Sequence, residues 1–168
     1  MKIDMILVFA VVTGLVAIPY IAFILFGSGA TKKVASRLKA EAARQGINLE
    51  QKEAWNGREI ALDTQKNKVL FGQLIDENVL IQQVDLNTVS RVNLIENVVT
   101  KKIDGKLQHT LEGVSLELVS KTNPNSSIIN FYDSELDAAQ NYEVKRAKKW
   151  KELIEAQLTP ARRTAVAA

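Results

Sequence analysis

The chain contains no cysteine, which excludes disulfide frameworks, thiol nucleophiles and zinc sites built on thiolates. It has a single histidine, His109, and aromatic residues make up only 6% of it, so neither a histidine-rich metal centre nor a row of base-stacking rings is available. The formal net charge is only +3, and no basic stripe stands out, so nucleic acid is not an expected partner. A phosphate-cradling glycine loop is also missing, since Gly27-Ser28-Gly29 lacks the lysine and serine spacing of a P-loop. His109 follows the Asp104-Gly105 turn on a polar stretch, and Asp63, Asp76, Glu77 and Asp85 sit near strand ends like ordinary turn carboxylates. No nucleophile and base pair up. The expectation is therefore a protein that is not an enzyme, with no cofactor, no metal and no catalytic residue.

What is present divides sharply along the chain. From Met5 to Phe26 no residue is charged, and that run would make a helix of about 33 Å against a hydrocarbon layer of ~30 Å. Residues 1–30 are thus read as a single transmembrane anchor, with Pro19 tolerated as a kink. Lys2 precedes the run, while Lys32, Lys33, Arg37, Lys39 and Arg44 follow it, so the positive-inside rule puts the N-terminus outside. The expected location is the inner (plasma) membrane, crossed once, with the remaining domain in the cytoplasm. An alternative stays open: Ser28-Gly29-Ala30 has the small-x-small form of a signal-peptidase site, and cleavage there would release an exported soluble protein. Ala10 and Gly14 form a small-xxx-small pair through which a weak homodimer would form.

Residues 31–46 read as a basic connector helix, with Val34, Leu38 and Ala42 at i, i+4 spacing and Gly46 as its stop. Its cations either touch anionic head groups or merely solvate a spacer. After Ile47 the apolar period changes to two, and seven antiparallel strands are expected at about 48–55, 58–63, 67–74, 79–85, 89–101, 107–120 and 127–132. Asn56-Gly57 and Asp104-Gly105 are favoured type I′ turn pairs, and Gly72 and Gly113 inside strand patterns mark bulges or close backbone approaches. Ser134, with Glu135 and Asp137 after it, suggests the N-cap of a helix running to about Leu158 before Pro160. The apolar face of that helix would be Leu136, Ala139, Val144, Ala147, Trp150, Leu153, Ile154 and Leu158. Glu143 falls inside this arc without a sequence-level reason. Residues 159–168 read as a disordered tail.

Seven short strands followed by one amphipathic helix with a central Trp150 resemble the pleckstrin-homology-like domain of the bacterial, membrane-anchored type, over residues 47–158. The resemblance rests on the two turn pairs, the long strands around Val92 and Leu116, and the run from Ala147 to Ile154. It implies an α+β fold: beside the N-terminal transmembrane helix, a seven-stranded antiparallel bent sheet, or partly open barrel, closed by the C-terminal helix. It also implies that basic residues in early hairpins contact anionic surfaces, which here means Arg58, Lys66 and Lys68, joined by Lys32, Lys33, Arg37 and Lys39 of the connector. The expected function is a membrane-anchored, non-enzymatic binding or scaffolding module that presents a sheet edge or groove to a protein partner. A sensor of anionic lipid head groups is the alternative.

Overall fold

The computed structural model describes residues 29–103, 106–122, 125–140 and 142–158. Helix α1 (Gly29–Arg44) comes first, and its apolar side chains Val34, Leu38 and Ala42 are buried on one stripe. Strands β1 (Gln51–Trp55), β2 (Arg58–Asp63), β3 (Lys68–Ile75) and β4 (Asn78–Asp85) follow, then β5 (Val89–Ile103), β6 (Lys106–Ser120) and β7 (Ser127–Asp133), and finally helix α2 (Glu143–Leu158).

The strands lie in two antiparallel sheets, ordered β1-β2-β3-β4 and β5-β6-β7. This corrects the expectation of one seven-stranded sheet or partly open barrel. The physical cause lies at residues 85–88, where the Asp85 carboxylate accepts the Asn87 N–H at 2.9 Å and Thr88 Oγ1 bonds the Asp85 carbonyl at 2.8 Å. These bonds close a 3₁₀ turn over Leu86–Thr88, and the chain leaves the first sheet instead of extending its ladder. A second correction concerns the membrane. Among the described residues no helix is long and apolar enough to cross one. Both helices have 16 residues, about 24 Å, and α1 carries Lys32, Lys33, Arg37, Lys39 and Arg44. The single-pass, inner-membrane placement therefore has no support in this structure, and the apolar run 5–26 from which it was read lies outside the described residues, as do the Asp104-Gly105 turn and the 159–168 tail.

Hairpin chemistry explains the first sheet. Asn56 and Gly57 have φ of 35° and 69°, the left-handed pair that a type I′ turn requires. Asp76 and Glu77 adopt the same pattern, at 46° and 65°, without a glycine. Strand β2 is buried along its whole length because it is covered on both faces. Ile60 and Leu62 face the main core with Val69 and Phe71, whereas Ala61 and Leu70 pack with Leu38 and Ala42 of α1. The layers are thus α1, the four-stranded sheet, and the three-stranded sheet with α2 against it.

Helix α2 begins at Glu143, not at Ser134. Residues 134–136 form a single turn, N-capped by Asp133, whose carboxylate takes the Glu135 N–H and whose carbonyl takes the Asp137 N–H, and the chain then leaves the helical path before α2. Leu136 is accordingly 54% exposed. Glu143, unexplained by periodicity, is buried at the helix start and accepts a bond from Asn56 Nδ2 at 3.2 Å.

Ala147, Trp150 and Ile154 enter the main core. The Trp150 indole N–H is donated to Glu53 of β1 at 3.0 Å, and the same carboxylate accepts Arg146 Nε and Lys149 Nζ, each at 2.8 Å. Partial burial pushes the Glu53 carboxyl up, but the three donors outweigh it and hold it below the ordinary carboxylate value.

Two outcomes are expected. Trp150→Ala should destabilise the fold by about 3–5 kcal/mol, whereas Lys148→Ala, whose contact with Glu96 is a solvent-exposed pair, should cost less than about 0.5 kcal/mol. Urea midpoints separate the two, and similar midpoints would mean that α2 does not close the core. Glu53 has a folded pKa below its unfolded one, so its contribution is complete above the ordinary value of 4.5 and is lost as pH falls through the depressed one. The stability gap between wild type and Glu53→Gln should therefore be widest near neutrality and narrow below that value, as read by urea unfolding in a pH series.

Candidate functional site

The structure disperses the seven basic residues expected to contact anionic surfaces. Arg58 is 2% exposed and paired with Asp137 at 2.6 Å, so it faces no surface at all. Lys33 Nζ bonds the Glu77 carbonyl at 2.6 Å, Lys66 Nζ bonds the Gly46 carbonyl, Lys68 is half-buried, and Lys32 and Lys39 are exposed. Arg37 lines a cleft.

That cleft, of about 590 Å³, runs between α1 and β4. Its helical wall is Arg37, Ala40, Glu41 and Arg44, spaced i, i+3, i+4 and i+7 and therefore on one side of the helix. Its other wall is Val79, Ile81 and Gln83, alternate residues of β4 that share one face. Among the described residues strand β4 pairs only with β3, which leaves its outer edge without a neighbouring strand, and its registers Ile81↔Gly72 and Gln83↔Leu70 place this face toward α1. Gly72 is what allows the helix so near: a Cβ there would lie 2.8 Å from Val34 Cγ1 and 3.1 Å from Leu38 Cδ1.

Charge in the cleft is unevenly compensated. Glu41 accepts Arg44 Nη2 at 2.6 Å and is also bonded by Gln45 Nε2, and these two bonds hold its carboxyl below the ordinary value. Arg37 has no hydrogen-bond or ion-pair partner among the described residues.

Sequence reasoning reached Arg37 but missed the edge. The available signal was Asn78-Val-Leu-Ile-Gln-Gln-Val84, which carries no charge and no proline, and in which Leu80 is 56% exposed. Edges that must stay unpaired usually carry such guards.

A second surface with exposed apolar residues lies on β5 and β6. The far ends of β5 and β6 extend past β7 as a two-stranded ribbon, where Val98 and Leu107 are exposed and His109 Nδ1 lies 2.8 Å from Thr100 Oγ1. A cleft near the ribbon base is lined by Leu111, Tyr142, Val144 and Lys148. Among the described residues no group of three or more His, Cys, Asp or Glu side chains is placed to hold a metal ion.

The seating of α1 is testable. Gly72→Ala should cost about 1–3 kcal/mol through overpacking, and Val34→Ala in the same chain should recover part of that loss. Thermal or urea unfolding of both single variants and the double variant gives the coupling, and strict additivity would mean that the helix does not rest on residue 72.

No family model, curated protein or solved structure matches the chain.

Proposed function

We propose that the chain is a non-enzymatic protein-binding module that captures an extended segment of a partner as a fifth strand on the outer edge of β4. One observation carries the reading: a strand that is an edge among the described residues, whose residues 78–84 lack charge and proline, with Leu80 exposed, beside a cleft lined by Val79 and Ile81. Strand addition draws affinity from backbone hydrogen bonds and specificity from alternate side chains, and this edge offers both. The opposite edge of the same sheet, β1, carries Lys52 and Glu53 and is engaged by α2.

The pleckstrin-homology-like resemblance belongs to the same proposal. Four strands, then three, then a terminal helix packed on the core support it, and such an architecture favours a binding scaffold without naming a ligand. The lipid head-group reading has less to stand on, because Arg58 is buried in an ion pair and Lys33 and Lys66 are tied to backbone carbonyls.

Peptides selected from a random library against the full-length chain are expected to slow amide hydrogen exchange within residues 78–84. Leu80→Asp, a change at an exposed position, should weaken those peptides at least about tenfold while moving stability by no more than about 0.5 kcal/mol. Protection confined to the β5–β6 ribbon, or unaltered affinity in Leu80→Asp, sinks the reading.

A further inference from the structure

We infer that the segment added to β4 is acidic: an extended partner strand with a carboxylate side chain under Arg37 and β-branched side chains beside it. The inference rests on the strand-addition reading above and states what that edge selects. In an added strand every second residue points to the α1 side, where Val79 and Ile81 become its cross-strand neighbours and favour β-branched or other apolar side chains. Above that floor stands Arg37, which has no partner among the described residues, while Glu41 is already taken by Arg44 and Gln45. An incoming cation meets Arg37 and Arg44, and the one carboxylate of the helical wall, Glu41, is already engaged. An incoming carboxylate finds a planar guanidinium able to bond it with two parallel N–H groups. Helix α1 adds charge of the same sign, with five basic residues against one glutamate.

A second copy of this chain is the competing occupant, and charge argues against it. Antiparallel pairing of two β4 strands about a two-fold axis normal to the sheet puts both α1 helices on the same face. Two helices, each carrying five basic residues against one glutamate, would then approach across the axis.

The test is titration calorimetry of the full-length chain with two synthetic seven-residue peptides, alternating threonine and valine, one carrying a central glutamate and the other glutamine in its place. At about 50 mM salt the glutamate peptide should bind about threefold to tenfold more tightly, and the advantage should fade by about 0.5 M salt. Arg37→Gln should abolish that advantage, bringing the two peptides to equal affinity. Equal affinity of the two peptides, with amide protection still on residues 78–84, would overturn the acidic selectivity while sparing strand addition. Binding of neither peptide would overturn both. A concentration-dependent dimer in sedimentation equilibrium that is lost in Leu80→Asp would assign the edge to a second copy and refute the inference.

Discussion

The fold depends on the Glu53 carboxylate and the three donors that meet on it. No ladder joins β4 to β5 among the described residues, and the sheets meet through side-chain packing and bonds such as that of the Trp55 indole N–H to the Phe131 carbonyl at 3.0 Å. Helix α2 lies against the three-stranded sheet, yet Arg146, Lys149 and Trp150 all reach across to Glu53 on the four-stranded one. Trp150 is 1% exposed, and burying an indole N–H without an acceptor would cost about 1–3 kcal/mol, so the carboxylate makes that burial tolerable. Arg146 also stands 4.8 Å over the Trp55 ring, which stacks on Phe131 at 5.0 Å. One acidic residue thereby organises the aromatic centre of the core and the helix that covers it.

A second constraint sets where the surface is left open. Because α1 covers the face of β2 and β3 and rests on Gly72, it cannot also cover the outer edge of β4. The helix touches the start of β4, where Lys33 bonds the Glu77 carbonyl, and leaves a trough beside an edge that pairs with no further strand among the described residues. The same packing that gives the four-stranded sheet its second core thus creates the cleft on which a binding function is proposed.

The loop before α2 is tied down by buried charge. Arg58 donates to Asp137, and Asp137 in turn accepts the Asp133 N–H at 2.9 Å, so the turn region 133–137 is fastened to β2. Arg58 Nε and Nη2 are buried without a hydrogen-bond partner. Removing either member of such a pair leaves an uncompensated charge in the interior, which makes the pair a condition of the loop's shape more than a source of stability.

Local physics made much of this legible in the residues. The positive-φ turn at Asn56-Gly57, the period-two strands, the α1 stripe Val34, Leu38 and Ala42, and the Trp150 face of α2 follow from steric and periodicity rules acting within a few residues. What lay beyond it were facts set by residues far apart in the chain. Whether seven strands form one sheet or two turned on the Asp85 cap and on what β4 meets next. Arg58 looked like a surface cation until Asp137, 79 residues on, buried it, and Glu143 looked misplaced until Asn56, 87 residues away, supplied its partner. The candidate site shares this division: the uncharged, proline-free run 78–84 stands in the sequence, but only the tertiary structure decided that this strand is an edge and that Arg37 stands beside it, because edge position is a property of sheet order and not of any single segment.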